Sequence, residues 1–423
     1  MKYIFGGFSI IVFFYSIFFI VYRILLKNDF KLKKNFIEKN KVNKNGTNKE
    51  CKKIFIITFG FRILIILMSL LIFLLFINQE NSFNINSFIE NWIKWDSIHY
   101  IRISNGYKFY IENGLYPTLA FFPLYPFFIS IFSFIFSKAL SGLIVSNLSI
   151  SIACIFIYKL VCMDYDKKTA KITLLLLNIF PFSFFFSGIM SESVFLLFSV
   201  ITLYYIRKHN WFLVGFFGAL CSLSRFIGIF LIIPALVEVI EEYQLIKKIK
   251  NFRFVINTFL LKIIPILLIS FGFFIYLYLN YDTTGDYFYF LKIQKKIWFQ
   301  SYKHFFLFFD TCFGMIKSFD IKFLLCVPIP QLFFSIFSFI VLILNVKKNK
   351  TMYSIWLLIN IIINTSISWP LSFCRYISCA IPFFIFIAAY LKKHYYLYIT
   401  YIIISSMLFV IYFTMYLKGS SIM

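Results

Sequence analysis

The segment Trp95-Asp-Ser-Ile-His-Tyr100 contains an aspartate, a histidine and a tyrosine close together, a combination capable of acid–base chemistry. If residues 96–104 are helical, three side chains lie on one face: Asp96, His99 and Tyr100. The carboxylate could then act as a general base toward a hydroxyl group, with the neighbouring histidine orienting it. The segment also fits an aromatic anchor at a membrane edge, in which the aspartate caps a helix. The residues by themselves leave both interpretations open.

Three more charged residues stand where apolar runs begin or break. Glu192 opens a run within Ser191-Glu-Ser193, where the positive end of a helix favours an acidic cap. Arg225 interrupts the apolar run 211–240, and Arg375 precedes another run. For both arginines, anchoring at the membrane edge and pairing with a phosphate are the alternatives.

A further polar stretch begins at Gly285. Its residues Asp286, Phe290, Gln294 and Trp298 recur at intervals of four, which predicts one face of a helix. A helix lying in the membrane interface explains this pattern without a ligand. The sequence has no Walker loop, no GxGxxG and no HExxH motif, and its four histidines are isolated. Neither soluble nucleotide chemistry nor a metal site is therefore indicated.

The elements that must position these residues are membrane helices. Of the 423 residues, 61% are hydrophobic and only 14% are charged, which excludes an ordinary water-soluble domain. Apolar runs of about 20 residues recur along the chain, and each can cross roughly 30 Å of hydrocarbon as a helix. Because unpaired backbone groups are costly in lipid and no alternating strand pattern is present, we expect an all-α polytopic protein with about 11–13 transmembrane helices.

The formal net charge of +25 arises from short basic clusters between the apolar runs. Such clusters mark cytosolic turns rather than a nucleic-acid surface. We place five of them in the cytosol, namely residues 27–53, 207–209, 247–253, 347–350 and 392–393. The predicted spans that follow are residues 4–26, 54–77, 169–187, 190–206, 254–279, 322–346, 352–369, 375–391 and 395–417. The polar groups described above then share the non-cytoplasmic side.

Two segments need separate treatment. The run Trp211–Ile240 must form two short helices that break near Arg225. The segment Phe122–Ser137 is short and opens with two prolines, and a full crossing there would reverse the topology. We therefore expect it to be a re-entrant or interfacial helix.

We divide the chain into two parts. Residues 1–53 would comprise an N-terminal anchor span and a Lys/Asn-rich cytosolic loop, and residues 54–423 would form the multi-span domain. The first apolar run is longer than that of a typical signal peptide and lacks a small-residue cleavage site, which favours a retained span. A cleaved signal is the alternative.

Taken in order, these motifs resemble the glycosyltransferase C superfamily, whose multi-spanning enzymes use lipid-linked sugars. Within it they resemble GPI mannosyltransferase 2, the PIG-V type family of glycosylphosphatidylinositol (GPI) assembly. The resemblance covers roughly residues 54–392 and rests on Trp95-Asp96-x-x-His99-Tyr100 with Gly106-Tyr107, Phe121-Phe-Pro-Leu-Tyr-Pro126, Ser191-Glu-Ser-Val-Phe195, Ser224-Arg225 with Gly228, Gly285-Asp286 with Gln294 and Trp298, and Arg375-Tyr376. One departure is Met190, which stands where the family usually has tyrosine.

The resemblance implies an inverting glycosyltransferase that moves mannose from dolichyl phosphate mannose to the mannosyl-glucosaminyl-phosphatidylinositol intermediate. The product would carry the second, α1,6-linked mannose of the GPI anchor. It further implies a multi-pass protein of the endoplasmic reticulum membrane whose active site lies in luminal loops. Asp96 is the general base in this scheme, and the two arginines hold the lipid phosphate. The substrate-binding residues would be Trp95, His99, Tyr100, Glu192, Arg225, Asp286, Gln294 and Arg375.

The implied partners are the sugar donor and the glycolipid acceptor, with no nucleic acid, no metal and no cofactor beyond the donor. A small membrane partner subunit is not identified by the sequence. Charged groups at the mouths of many spans also fit a transporter or lipid translocator, although no internal repeat supports one. Another mannosyltransferase of the same superfamily would use the same residues on a different acceptor. A non-catalytic subunit is the remaining alternative.

Overall fold

The computed structural model describes residues 2–29, 48–78, 83–318, 320–369 and 372–422 of the chain. Within these ranges the secondary structure is helical, apart from turns and two isolated β-bridges. The predicted all-α architecture is therefore confirmed.

We number the α-helices in chain order. They are α1 Lys2–Asp29, α2 Asn48–Phe76, α3 Ile85–Glu90, α4 Ser97–Ile103, α5 Leu124–Phe132, α6 Lys138–Asp164, α7 Lys167–Ile179, α8 Glu192–Lys208, α9 Trp211–Ser224, α10 Ile232–Tyr243, α11 Phe252–Thr258, α12 Ile264–Leu267, α13 Ile269–Thr284, α14 Tyr289–Lys296, α15 Leu307–Ser318, α16 Ile321–Cys326, α17 Pro328–Val346, α18 Thr351–Thr365, α19 Phe373–Ile377, α20 Ile381–Leu391 and α21 Tyr395–Leu417. Short 3-10 helices lie at Tyr107–Phe109, Pro117–Ala120, Ser183–Phe186 and Phe226–Leu231, and a π-helical turn lies at Phe259–Ile263.

Six helical segments of the described chain are long and apolar enough to cross a membrane. They are Gly6–Leu25, Asn48–Phe76, Lys138–Asp164, Phe252–Thr284, Ile321–Val346 and Tyr395–Leu417. The helices α9, α18 and α20 are apolar but shorter, and a straight helix of that length does not cross the whole hydrocarbon layer. The multi-pass architecture is thus confirmed, while the number of 11–13 crossings stays a prediction.

The N-terminal helix α1 packs against α17, α15 and α18. The Arg23 guanidinium donates to the carbonyl oxygen of Val346 at 2.8 Å and also to that of Asn349. These bonds join the end of α1 to the turn after α17. The helix expected over residues 4–26 is present, whereas its processing and the domain boundary at residue 53 stay predictions. Most of the Lys/Asn-rich loop, residues 30–47, lies outside the described residues.

The basic turns meet at one end of the helix bundle, which we call the basic end. Lys167 Nζ there lies 2.6 Å from Glu50 Oε1, and Arg207 Nη2 lies 2.7 Å from Asp164 Oδ1. The Tyr165 hydroxyl donates to Asn349 Oδ1 at 2.6 Å. Turns that are far apart in sequence are therefore neighbours in space, as one common side of the membrane requires.

Asp166, in the turn between α6 and α7, belongs to the same end. Its carboxylate pairs with Lys392 and accepts hydrogen bonds from the backbone and the hydroxyl of Thr169 at 2.8 and 2.6 Å. Burial opposes the charged form, but these hydrogen bonds outweigh it and lower the pKa of Asp166 to about 2. Asp166 thereby ties the turn after α20 to the N-terminus of α7.

The predicted span 169–187 is wrong at its far end. The helix α7 ends at Ile179, and residues 180–191 form a buried turn that contains a 3-10 helix. Pro181 explains the early end, because proline has no backbone N–H to donate and its ring clashes with the preceding helical turn. This turn brings α8 back toward the basic end.

Other breaks also coincide with prolines or with the predicted arginine. The π-helical turn precedes Pro265, α16 ends just before Pro328, and α20 begins one residue before Pro382. The predicted break near Arg225 is confirmed, because α9 ends at Ser224. The segment expected to be re-entrant or interfacial contains α5, a helix of only nine residues.

Candidate active site

The buried turn between α7 and α8, residues 180–191, sets the position of Glu192. Its carbonyl groups would be costly inside the bundle without partners, and neighbouring side chains supply them. Asn147 Nδ2 on α6 donates to the Ser187 carbonyl at 3.2 Å, and the Ser193 hydroxyl donates to the Phe186 carbonyl at 2.7 Å. Glu192 follows as the first residue of α8 and is completely buried.

Arg225 lies at the break between α9 and the following 3-10 helix, in an extended conformation. The break needs Gly228, because a Cβ atom there would lie 2.5 Å from the carbonyl oxygen of Cys221. The Ser224 hydroxyl donates to the same carbonyl at 2.6 Å. The tight turn thus aims the arginine side chain at α8 instead of at the lipid.

Four charged side chains from four parts of the chain form one network. Arg225 Nη1 donates to Glu192 Oε1 at 2.6 Å, and Arg375 Nε donates to the same oxygen. Arg375 Nη1 also donates to Asp96 Oδ2 at 2.7 Å. The two arginines and the two carboxylates balance in charge, which offsets much of the desolvation cost of burying them.

Exposure divides the network into an inner and an outer half. Glu192 and Arg375 are buried, whereas the side chains of Arg225 and Asp96 are 18% and 22% exposed. Glu192 Oε2 has no hydrogen-bond partner among the described residues. The inner pair therefore sets the geometry, and the outer pair is available to a ligand.

Asp96 precedes α4 at its N-cap position, yet its side chain makes no capping hydrogen bond. The carboxylate bonds to Arg375 instead, which argues against the interpretation as a simple helix cap. Trp95 has a φ of +45°, an unfavourable conformation for a bulky residue. Its ring packs edge-on against Tyr416 at 5.3 Å. The strained residue turns the chain so that the carboxylate points inward.

A cavity of about 410 Å³ borders the outer half of the network. This volume is typical of small-molecule sites. Its polar lining comprises Asp96, Tyr100, Ser191, Ser224, Arg225, Gln294, Lys295, Gln300, Ser301, Tyr302, Asn364 and Tyr376. Its apolar lining comprises Ala120, Phe121, Phe122, Phe226, Ile227, Phe290, Leu291, Ile363 and Ile367. The cavity combines one carboxylate and two cations with neutral hydrogen-bonding groups, as a site for a polar, anionic ligand requires.

Gln294 reaches the cavity from α14, whose start is fixed by Asn280 on α13. Asn280 is buried, and its Oδ1 accepts from the backbone N–H of Phe290 at 3.0 Å. The helix spans only Tyr289–Lys296, so the expectation of one helical face from Asp286 to Trp298 is wrong at both ends. Phe290 and Gln294 nevertheless share the cavity side.

The remaining predicted site residues lie at different distances from the cavity. Tyr100 lines it and its hydroxyl is 2.9 Å from Ser191 Oγ. His99 is not part of the lining; its ring stacks on Phe121 at 4.8 Å and meets Trp298 at 5.5 Å. Burial lowers the pKa of His99. A neutral imidazole in an aromatic setting favours a role in packing.

Asp286 also lies outside the cavity lining. Its carboxylate is 2.5 Å from Lys292 Nζ and accepts from the backbone N–H of Phe288 at 2.9 Å. The hydrogen bond from Lys292 lowers the pKa of Asp286. The aspartate therefore stabilises the loop before α14, and its predicted contact with substrate stays untested.

Several lining residues were not among the predicted ones, notably Lys295, Asn364 and Tyr376. A signal existed for Asn364, because Asn360 and Asn364 are spaced by four in the apolar stretch that forms most of α18. Tyr376 stands beside Arg375 in the sequence, and its ring lies 4.3 Å from the Arg225 guanidinium. A cation–π contact of this kind holds the arginine without using its hydrogen-bond donors.

One group of metal-ligand types is present among the described residues, at the basic end and not at the cavity. His209, Glu238 and Glu242 offer ligand atoms within 4.8 Å of one another, so this histidine is not isolated in space. Glu238 Oε1, however, is 2.6 Å from Arg207 Nη1 and 3.9 Å from Lys350 Nζ. These positive charges oppose a bound cation.

Comparison with known families bears on the central part of the chain. Residues 118–271 match the model of a family described as dolichyl-phosphate-mannose-protein mannosyltransferase. This segment is similar to a mannosyltransferase domain. The match contains Glu192 and Arg225, whereas Asp96, Gln294 and Arg375 lie outside it. No curated protein and no solved structure matches the chain.

The match and the fold support the coarser part of the resemblance found in the sequence. Residues 118–271 resemble a mannosyltransferase domain, and the multi-spanning all-α fold is consistent with the glycosyltransferase C type. The match does not single out GPI mannosyltransferase 2.

Proposed function

We propose that the protein transfers mannose from dolichyl phosphate mannose to a GPI precursor, adding the second mannose in an α1,6 linkage. The observation that carries this proposal is the cavity of about 410 Å³ in which Asp96 and Arg225 face the same space. The mannosyltransferase family match over residues 118–271 supports the reaction type. The site would face the lumen of the endoplasmic reticulum, opposite the basic end.

Arg225 is the proposed ligand for the donor phosphate. Its guanidinium uses one donor on Glu192 and lies over the Tyr376 ring, so its other donors have no acceptor in the described part of the chain. A guanidinium fork matches two phosphate oxygens and stabilises the charge that develops when the phosphate leaves. Arg375 bonds to the carboxylates of Asp96 and Glu192 and orients both from outside the cavity lining.

Asp96 is the proposed general base. Its Oδ2 is held by Arg375, and the carboxylate is partly exposed to the cavity. The acceptor 6-hydroxyl attacks the anomeric carbon from the face opposite the phosphate, its proton passes to Asp96, and the bond from the anomeric carbon to the phosphate oxygen breaks. The products are the α1,6-mannoside and dolichyl phosphate, with inversion at the anomeric carbon.

Neutral side chains are proposed to hold the sugar. Gln294, Asn364 and Tyr100 line the cavity and can donate to or accept from hydroxyl groups. A phosphodiester with one negative charge beside Arg225 and Lys295 needs no metal ion in this scheme. Transfer should therefore persist in the presence of EDTA.

A second acceptor follows from the family match, whose printed description names a protein acceptor. Depletion of the protein from cells, followed by analysis of both lipids and proteins, separates the candidates. Accumulation of the GPI precursor with a single mannose supports our proposal. Unchanged precursors with loss of protein-linked mannose would assign the protein acceptor, and unchanged precursors with altered transport would assign a translocator.

A further inference from the structure

The middle of α2 contains a buried arginine that the proposed reaction does not use. Arg62 lies 14 residues from each end of the 29-residue helix Asn48–Phe76, which is about 21 Å from either end at 1.5 Å per residue. It is completely buried. An arginine at this depth is costly and is rarely present without a specific partner.

Among the described residues, the partners of Arg62 are neutral. Its Nη1 donates to the Ser187 hydroxyl at 3.3 Å and to the Ser183 carbonyl at 3.4 Å, and its Nη2 donates to Asn178 Oδ1. Its Nε has no hydrogen-bond partner within the part of the chain that the structure describes. The guanidinium lies 5.4 Å from the Phe61 ring. No carboxylate in the described part of the chain pairs with it.

All of these acceptors belong to the end of α7 and to the turn 180–191. That turn is irregular backbone inside the bundle, and its carbonyl groups need donors from other helices. Arg62 is a donor from α2, and Asn147 is a donor from α6. Ser187 lies only five residues before Glu192, which accepts from both site arginines.

We propose that Arg62 is a positioning residue that fixes the turn 180–191 and, through it, the location of Glu192. The guanidinium holds the end of α7 and two serines of the turn, Ser183 and Ser187, from one side. Fixing Glu192 fixes the Arg225 guanidinium, whose only side-chain hydrogen bond in the described residues goes to that carboxylate. The consequence for catalysis rests on the proposed function, whereas the clamping of the turn does not.

The first test measures the turn itself. In Arg62→Met, hydrogen–deuterium exchange of the backbone amides 183–191 in detergent should accelerate at least tenfold, with other helices unchanged. Thr58→Val is the matched control, since Thr58 is also buried on α2 but donates only within its own helix, to Ile54 and Phe55. If the amides of the turn in Arg62→Met exchanged as slowly as in the wild type, the proposal would be overturned. If that variant does not fold, Arg62→Lys, which keeps the charge but loses the fork, should show intermediate exchange.

The second test measures mannosyl transfer in a double-mutant cycle with Glu192→Gln. If Arg62 acts through Glu192, the Arg62→Met/Glu192→Gln double variant loses no more activity than Glu192→Gln alone. Compared with Arg62→Met, Arg62→Lys then recovers part of kcat with little change in KM. If the activity losses of the two single variants multiply in the double variant, Arg62 does not act through Glu192. If the wild type transfers no mannose while the turn still loosens in Arg62→Met, the proposed reaction fails and the clamp stands.

Discussion

Arginines that are buried or largely buried bind carboxylates at both ends of this molecule, but with different results. At the basic end, Arg207 uses Nε and Nη2 on Asp164 and Nη1 on Glu238, and Asp164 also accepts from the Tyr353 hydroxyl at 2.8 Å. At the opposite end, Arg225 and Arg375 share a single oxygen of Glu192. The cavity borders only the second network among the described residues.

The difference distinguishes charged groups that only hold helices together from charged groups that a ligand could contact. Each of the three guanidinium nitrogens of Arg207 donates to a carboxylate, with three bonds to Asp164 and one to Glu238, so this network joins α8 to α6 and α10. Arg225 bonds to one carboxylate in the described part of the chain and lines a cavity. Burial of charge is costly in both places, but only the network of Arg225 borders a space that could hold an additional anion among the described residues.

The largest expected effect is that of Asp96→Asn. The amide still accepts from Arg375 but cannot take a proton, so kcat should fall by about 10²- to 10⁴-fold at a normal level of folded protein. The measurement is mannosyl transfer by purified variants. Asp164→Asn is the control at the basic end, where specific activity should persist while the amount of folded protein falls. Full activity in Asp96→Asn would remove the base assignment.

Arg207→Gln should have the next largest effect, on stability. It removes the guanidinium that pairs with the buried carboxylates of Asp164 and Glu238, and the free energy of unfolding should fall by about 3–5 kcal/mol. Thermal unfolding in detergent measures the change. A variant as stable as the wild type would show that the basic end does not hold the helices together.

Arg225→Gln should lower the activity and leave the stability nearly unchanged, the reverse of Arg207→Gln. Glu192 keeps its bond to Arg375, so stability should change little. Loss of charged hydrogen bonds to the donor phosphate, each worth about 1.5–3 kcal/mol, should lower kcat/KM for the donor by about 10- to 100-fold. Kinetics at varied donor concentration measure this. If the Arg225→Gln variant were less stable than the wild type but kept its kcat/KM, the network at the cavity would be purely structural, like the one at the basic end.

A smaller effect is expected from Gln294→Leu. Loss of one neutral hydrogen bond to the sugar, worth about 0.5–1.5 kcal/mol, should raise KM several-fold without affecting folding. Asp286→Asn, in the loop that leads into the same helix, is the matched control, because the carboxylate lies outside the cavity lining and pairs with Lys292. An equal rise of KM in both variants would indicate that the loop moves as a unit.

The smallest effect concerns pH. Because burial lowers the pKa of His99, the unfolded chain binds a proton more readily than the folded one, and stability should decrease as pH falls through 6.5 toward 5.5. His99→Phe keeps a ring against Phe121 and Trp298 and should reduce this dependence. Unfolding temperatures at pH 7.5 and 5.5 measure it. An unchanged pH dependence in His99→Phe would assign the effect to other groups.

Much of the fold could be predicted from sequence because its signals are local. Apolar runs of sufficient length predict membrane helices, and lysine clusters predict which turns lie together. The break at Arg225 followed from the length of one apolar run. The early end of α7 was missed because the apolar run continues past Pro181, and hydropathy alone does not register the lost backbone donor.

Charged residues at the ends and breaks of apolar runs can be read from the sequence, as can the chemistry that each offers as a base or a phosphate ligand. Their partners cannot, because they depend on the packing of the folded chain. Glu192 lies 33 residues from Arg225 and 183 from Arg375, and Arg375 lies 279 from Asp96. Such contacts depend on how helices pack, for which periodicity carries no signal. The same packing places Arg375 against both carboxylates instead of in the cavity lining, and it places His99 and Asp286 outside that lining. It also brings Arg62 to the turn 180–191, a contact that the apolar sequence around Arg62 does not predict.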